Sequence, residues 1–510
     1  MWSLHVNLQW IIQSVGWRDL VIIVVTALVT RWVYFNLICV YLSPLRKLPG
    51  LPYRPLVGNM LDALSGEAMS TAIRWIKQCK SLTIRYYYFG GKERILTADP
   101  KVFRHVMITN EKNYVRVLPK TPFIQLMGKA LFFLSGDVHH SMRKLLNPAF
   151  SINVLQNMLP VFEDKAHSMV SLWLEECRQA GNQPVQINVQ DFMTRITLDT
   201  VCITGLDYNI HAIGSGDTAG VKIFTRYLRQ VGGRTISSSF IPFYYHLPFA
   251  ANRQRWEDEK YIISLIKERI QAKRQQYWDG CENTAAVKDF LSLLVLARDE
   301  DGQSLPDNLV FQNVTGIMFA GFDTTSVTLT WALLLLASYP DIQTRAREEV
   351  LEVCADPTQP LTHETLDKLG YLNCVLKETQ RLYPVVSNTT RRALEEDNID
   401  GMEIPAGTNI VLHLGALHRS EENWPDAEKF EPERFMSTTV EPYHHLPFIT
   451  GPYMCIGSKY ALLEMKTVLA SILREFRLQL VPGYTFRRIQ ALSVKPHPPL
   501  MLAVTKLSHV

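Results

Sequence analysis

Cys455 lies in PFITGPYMCIGSKYALLEMK, Pro447 to Lys466. Gly451, Pro452 and Gly457 bend the chain tightly around it, and an amphipathic helix is expected to open directly afterwards. Unpaired N–H groups at a helix start stabilise a thiolate. Cys455 therefore reads as a nucleophile or as a soft metal ligand. A nucleophile wants a base within reach, and the sequence offers no partner signature for one. A thiolate holding haem iron fits better. An inert buried cysteine would not require a Gly-Pro-Gly loop.

A second polar group interrupts an otherwise apolar run. AGFDTTS, Ala320 to Ser326, sets a glycine, an aspartate and three hydroxyls close together. All of them weaken a helix interior. Such residues are tolerated where the backbone opens or where polar groups face a site. The hydroxyls could equally bond back to their own helix carbonyls. Asp323 beside Thr324 tips the reading towards a site, because a buried carboxylate needs a partner or a proton to handle. In KETQRLYP, Glu378 and Arg381 share one helix face at i and i+3. Most such pairs are solvated and contribute under about 1 kcal/mol. Here Leu372, Val375, Leu376 and Leu382 surround the pair and Pro384 ends the helix. FEPERFM, Phe430 to Met436, adds Arg434 in a Pro-bearing loop.

Positioning these groups calls for long helices. Helical periodicity marks Asn153–Arg178, Gln254–Tyr277, Pro306–Tyr339, Asp341–Cys354 and Thr365–Leu382. The third carries AGFDTTS, with Ser304 able to cap it and Pro340 ending it. At 1.5 Å per residue it would run about 50 Å, enough to cross a domain. Strand-like runs occur at Leu82–Phe89 and Arg94–Thr97, and strand and loop chemistry returns after Tyr383. The expected fold class is mainly α, a helix-rich α+β chain with small β-sheets.

The N-terminus stands apart. Leu20 to Leu42 is a 23-residue apolar stretch, long enough for a hydrocarbon layer of roughly 30 Å. Arg31, near its middle, costs about 2.5–3.5 kcal/mol on insertion scales unless it snorkels. Met1 to Trp17, with Trp2, Trp10 and Trp17, suits the interface or extends the span. Arg46, Lys47 and Arg54 follow, so the positive-inside bias places the rest of the chain in the cytoplasm. KLPGLPYRPLVGN, Lys47 to Asn59, reads as a stiff spacer. The expected organisation is a membrane anchor over 1–42 and one catalytic domain over 43–510, the Pro-rich spacer of 43–59 at its start.

Composition removes other classes. The 510 residues carry 53 Lys+Arg against 49 Asp+Glu, a net charge of +4 that points to no nucleic-acid partner. The eight cysteines include no CxxC pair, which excludes zinc-ribbon and thioredoxin-like readings and favours a reducing compartment.

With these motifs in order, the chain resembles the cytochrome P-450 family, the haem-thiolate monooxygenases, from the Pro-rich spacer to the C-terminus. The family pattern Phe-x-x-Gly-x-Arg/His-x-Cys-x-Gly is met at Phe448, Gly451, Cys455 and Gly457. AGFDTT is similar to its oxygen-activation segment, Glu378 and Arg381 to its Glu-x-x-Arg pair, and Arg434 to the Arg of its Pro-Glu-Arg-Phe loop. GDVHHSMRKLLNPAF, Gly136 to Phe150, is similar to the helix that touches the haem propionates, with His139 where the family often has Trp, and Arg143. Tyr453 also departs from the pattern, standing where Arg or His is usual. A phenol can hydrogen-bond a propionate but cannot neutralise it.

The resemblance implies haem b held between the long central helix and the Cys loop, with Cys455 as axial iron ligand and O2 as co-substrate. It implies Arg143 and Arg392 as the remaining basic contacts to the cofactor, Gly321 and Ala320 as the helix surface against which dioxygen sits, Thr324 as a hydrogen-bonding hydroxyl and Asp323 as a proton relay. Glu378, Arg381 and Arg434 are implied as a structural lock. By analogy with the family's pocket regions, substrate would meet Phe123, Leu126 and Met127, then Phe319 and Ala320, then Val386 to Thr389. Electrons are expected from NADPH through a separate NADPH-cytochrome reductase, at the endoplasmic reticulum membrane, with a single-pass anchor. The wording of the Gly136 and Cys455 segments is more similar to filamentous-fungal members. That implies oxygenation of a lipophilic secondary metabolite such as a terpenoid. A fatty-acid, sterol or xenobiotic hydroxylase, or an isomerase or dehydratase of the same fold, are the alternatives, and Asp323-Thr324 argues against the last two.

Overall fold

The computed structural model describes residues 16–507, apart from 35–37, 56, 119–120, 182, 215–218, 233–240, 242, 279–288, 299–301, 356–358 and 437–439. Trp2 and Trp10 of the expected interfacial stretch, and part of the Leu20–Leu42 span, lie outside the described residues. The helices that bear on function are α1 (Trp17–Val33), α2 (Gly136–Leu146), α3 (Leu159–Gln179), α4 (Val189–Leu206), α5 (Ala250–Trp278), α6 (Asp307–Ser338), α7 (Pro340–Val353), α8 (Gly370–Leu382) and α9 (Ser458–Glu475). The strands that bear on it are β1 (Thr83–Tyr87), β2 (Glu93–Thr97), β3 (Tyr114–Arg116), β4 (Thr389–Ala393), β5 (Asn409–Leu412), β6 (Arg487–Gln490) and β7 (Val494–His497).

Helix α6 joins two apolar cores. Its N-terminal half gives Val310, Val314, Met318, Phe319 and Phe322 to a core shared with α4 and α5. Its C-terminal half gives Val327, Leu329, Trp331 and Leu333 to a second core with α3, α7, α8 and α9. AGFDTTS falls at the junction of the two. The helix does not open there. Thr324, Ser326, Thr328 and Thr330 donate to the carbonyls of Ala320, Asp323, Thr324 and Ser326 at 2.7, 3.0, 2.8 and 2.8 Å, satisfying the hydroxyls inside an unbroken helix. Length and composition alone would let α6 cross a membrane, but its most apolar window is 83% buried, as befits a core helix. By contrast, none of the residues of α1 is buried.

Two expected helices are each divided. Asn153–Arg178 resolves into Ile152–Gln156 and α3, with Pro160 in the first turn of α3. Thr365–Leu382 resolves into His363–Lys368 and α8, the chain leaving helical geometry at Leu369. The carboxylate of Glu349 on α7 accepts from Tyr371 N at 2.6 Å and Leu372 N at 2.8 Å, so the start of α8 is capped from another helix. The first strand is also shorter than expected, ending at Tyr87.

A five-stranded mixed sheet runs in the order β1-β2-β5-β4-β3, with β2 and β5 parallel and the other neighbours antiparallel. It packs its own core, including Ile84, Ile95, Tyr114, Ile410 and Tyr453. The antiparallel hairpin β6–β7 lies against α6 through Trp331, whose Nε1 donates to Val494 O at 2.8 Å.

Glu378, Arg381 and Arg434 do form a lock. The Glu378 and Arg381 side chains are completely buried and paired through two bonds, Nε to Oε2 at 2.7 Å and Nη2 to Oε1 at 2.8 Å. Arg381 Nη1 donates to the carbonyls of His418 and Ala427, both at 2.7 Å, and Nη2 to Lys429 O at 3.0 Å. Arg434 Nε stands 3.4 Å from Glu378 Oε1, and Glu431 N donates to the same oxygen at 3.0 Å. The lock ties α8 to the long irregular segment that leads to the Cys loop. Removing one partner would strand the other charge in the core. Glu378→Ala is therefore expected to lose about 3–5 kcal/mol of stability, read by thermal unfolding, with Glu378→Gln losing less because it keeps an acceptor.

Candidate active site

A cavity of about 450 Å³ lies where α6, the Cys455 loop and the sheet edge meet, a size within the range of small-molecule sites. Ala320, Gly321, Thr324, Thr325 and Thr328 of α6 line one wall. Phe448, Ile449, Tyr453, Met454, Cys455, Ile456 and Gly457 form another. Arg116, His139, Arg143 and Arg391 line a third side, and Val117, Leu118, Phe132, Phe133, Ile317, Val385 and Val386 supply apolar surface.

The loop fixes Cys455 from both sides. Cys455 N donates to Phe448 O at 2.9 Å and Met454 N to Gly451 O at 3.0 Å. Gly451 has φ +71°, and a Cβ there would come within 2.3 Å of Met107 O, so the position requires glycine. Gly457 has no such need, its nearest contact for a Cβ being Phe150 at 3.7 Å. Arg143 Nη1 donates to Pro452 O at 3.2 Å and also to Met454 O, gripping the loop. Burial pushes the Cys455 thiol up, against the Gly457 N–H and the Arg143 charge, which favour the thiolate. The helix-end effect expected from sequence is present but is not the larger influence. A bound cation would reverse that balance.

The basic side of the cavity corrects one sequence expectation. Alternation along β4 turns Arg392 outward, exposed and bonded through Nε to Asn409 Oδ1 at 3.2 Å. Arg391 points inward instead. Opposite it across the β3–β4 ladder is Arg116, which carries no motif. Tyr453 lies between them, its ring centroid 4.7 Å from the Arg116 guanidinium and 5.2 Å from that of Arg391. The His139 ring packs on Tyr453 at 4.5 Å, and the phenol oxygen accepts from Gly136 N at 3.2 Å. Burial, then the cations Arg116 and Arg143, hold His139 down at about 4, so it is neutral at pH 7. Burial, then Arg391, push Arg116 down to about 9, and burial pushes Arg391 down to about 10. Among the described residues none of Arg116, Arg143 and Arg391 pairs with a carboxylate, and Nε of both Arg116 and Arg391 is buried without any partner. Such a cluster awaits an anion.

Comparison with known proteins bears on what that anion is. The family profile described as Cytochrome P450 matches residues 48–504. The chain is 33% identical over 440 residues to Cytochrome P450 4V2 of Rattus norvegicus, covering 83% of each. It is 30% identical over 528 residues to Cytochrome P450 72A15 of Arabidopsis thaliana, covering 97% of this chain and 100% of that one. In fold it is similar to the retinoic-acid-bound cyanobacterial CYP120A1, at a TM-score of 0.77 and 24% identity over 90% of this chain and 99% of that chain.

The chain belongs to the cytochrome P450 family. Cytochromes P450 are monooxygenases that use haem with an axial cysteine thiolate, O2, and electrons from a redox partner. The residues present fit haem: one thiol opens into the cavity, and guanidinium groups beside it that pair with no carboxylate suit two propionates.

Of the other expected residues, Ala320, Gly321, Thr324, Val386 and Thr389 line the cavity of this P450. Thr324 donates to Ala320 O at 2.7 Å. Gly321 also serves packing, since a Cβ there would lie 3.0 Å from Val201 Cγ2. Asp323 is buried on α6 outside the lining, and burial pushes its carboxyl up while Lys495 and Ser493 pull it down. Phe123, Leu126, Met127 and Phe319 do not line the cavity. They pack in the core of α4 and α5, where Phe319 meets Phe123 at 5.5 Å, Tyr227 at 5.6 Å and Phe224 at 5.8 Å. Phe132, Phe133 and Ile317 take the place expected of them. Asn313 holds that segment, accepting from Leu131 N at 3.1 Å. The inward and outward arginines are separable: Arg391→Ala is expected to lower haem retained on purification, read from the haem-to-protein absorbance ratio, whereas Arg392→Ala is expected to match the parent.

Proposed function

We propose that this P450 is a membrane-anchored monooxygenase in which Cys455 is the axial ligand and a lipophilic substrate meets Thr324 and the apolar wall. The observation that carries the reading is one cavity shared by a thiol, a helix face with hydroxyls, and cations without counter-charges. Arg116, Arg143 and Arg391 would hold the haem carboxylates, with Tyr453 spacing two of the cations. When bound, haem supplies the oxygen-activating chemistry of the family, and the thiolate raises its electron density. This chain's residues do the rest. Phe132, Phe133, Ile317, Val385 and Val386 exclude water and orient an apolar substrate. Thr324 offers a hydroxyl at the cavity wall, and Asp323, one residue earlier on α6, holds a proton close to it. Electrons would come from an NADPH-cytochrome reductase.

The apolar lining supports a polycyclic substrate such as a terpenoid, with fatty acids, sterols and xenobiotics as competing readings. Helix α1, apolar between Leu20 and Thr30 and with no buried residue, supports a membrane anchor followed by the spacer, and with it an endoplasmic reticulum location. Arg31 lies in its last turn, where a long side chain can snorkel towards an interface.

Four measurements test this. Expressed in a reductase-bearing host and fed polycyclic terpenoids, the full-length protein is expected to oxidise at least one of them. Oxidation of fatty acids alone would overturn the substrate reading. In the same assay, reduced Cys455→Ala under carbon monoxide should lack the thiolate-haem Soret band. Thr324→Ala should keep that band while product per NADPH falls by about tenfold or more, general acid–base effects being ~10²–10⁴. Deleting 1–42 is expected to release the folded haem protein from microsomes that retain the full chain after an alkaline wash.

A further inference from the structure

Two polar atoms next to the cavity wall, though not part of it, have no partner. Asp323 Oδ2 and Ser493 Oγ are both sealed from solvent, their residues 7% and 1% exposed, and neither makes a hydrogen bond. They belong to different elements, α6 and the turn that leads into β7. Leaving both bare in a core is unfavourable for each.

Their surroundings are electrostatically linked. The Lys495 charge and the Ser493 hydroxyl are the influences that oppose burial at the Asp323 carboxyl. Both groups thus act on Asp323, yet Ser493 Oγ and Asp323 Oδ2 form no direct hydrogen bond of good geometry. One water between them would satisfy both. The arrangement is held rigidly: Trp331 on α6 donates to Val494 O at 2.8 Å, and Val494 N donates to Val385 O at 2.9 Å. Lys495 is half-buried and so reaches solvent. The path therefore approaches Asp323 from β7, while Thr324 faces the cavity.

We propose that Ser493 and Lys495 form the proton supply to Asp323, a water-bridged path from solvent at β7 through the Ser493 hydroxyl to the carboxylate. The inference rests on Asp323 serving as the cavity's proton donor. In each transfer the bridging water gives a hydrogen to Asp323 and takes one from the Ser493 hydroxyl, whose oxygen takes one from the solvent side. Ser493 ends as it began, and no electrons move. The charge of Lys495 opposes the effect of burial at Asp323, which makes the ionised carboxyl less unfavourable there. Both are positioning residues.

The test uses the full-length protein with its reductase and a turned-over substrate, comparing Asp323→Asn, Ser493→Ala, Ser493→Thr and Lys495→Met. The readouts are product per NADPH and the solvent deuterium isotope effect on product formation. Ser493→Ala is expected to lower coupling on the order of tenfold and to enlarge the isotope effect. Its reduced carbon monoxide spectrum should remain that of the parent. Ser493→Thr, which retains the hydroxyl, is expected to restore both readouts, and Lys495→Met to fall between. If Asp323→Asn shows the defect and Ser493→Ala and Lys495→Met behave as the parent, the supply path is wrong and the role of Asp323 survives. If Asp323→Asn itself behaves as the parent, the role of Asp323 fails and the path with it.

Discussion

Arg116 and Arg391 face each other across a strand ladder, the first half-buried and the second buried, with no carboxylate between them. Like charges at directly opposed positions destabilise a sheet, and burial makes the repulsion worse. The surroundings act to contain it. Tyr453 presents its ring to both guanidinium groups, and an aromatic face attracts cations. Its phenol is fixed by Gly136 at the start of α2, and its backbone belongs to the loop that carries Cys455. The sheet edge, α2 and the thiol loop are therefore coupled through one ring. The place where the family usually sets a cation is here filled by a group that separates two others.

The second constraint is the passage of α6 through the molecule. A helix buried along most of its length can be apolar on every face, and α6 nearly is. Where it leaves one core for the other, it turns Ala320 and Thr324 towards the cavity and buries Asp323 away from it. The back-bonded hydroxyls keep the helix intact, so a polar face is displayed without opening the backbone. Back-bonding and a place on the cavity wall are compatible: Thr324 donates to Ala320 O and lines the cavity.

Cys455, the Glu378–Arg381 pair and α6 were legible because each is local in sequence. A tight Gly-Pro loop, an i and i+3 pair and a long apolar period all show within one window. The inward arginines were less so. Choosing Arg392 over Arg391 is an error of one residue, but in a strand one residue reverses the face. Arg116 has no motif and is recognised only through its strand partner. Phe123, Leu126, Met127 and Phe319 were misplaced for a different reason. Core and pocket ask for the same apolar residue types, so composition cannot say which side of a wall a phenylalanine faces. The division at Leu369 depends on Glu349, a cap supplied by another helix and invisible to local pattern. The overall mainly α class survived these errors because it depends on the number and length of helices, not on their ends.

Satisfaction of donors, rather than burial, separates the arginines by role. A guanidinium has five N–H donors. Arg381 makes five hydrogen bonds, two to Glu378 and three to backbone carbonyls, so it has nothing left to offer a ligand. Arg391 is as deeply placed, yet it bonds only to Thr389 Oγ1 and Thr390 O, through one nitrogen, and its Nε is bare. Arg116 likewise leaves Nε unpartnered. Stability alone would favour the first arrangement everywhere, since an unpaired buried charge is among the least favourable groups a core can hold. The second is tolerated where an incoming anion completes it. If this cluster holds the haem carboxylates as proposed above, binding them and folding this side of the domain would be linked, the ligand removing a penalty that the protein alone carries. That linkage would make the basic cluster a binding element beside the Glu378–Arg381 lock, a fold element, although both are built from the same side chain.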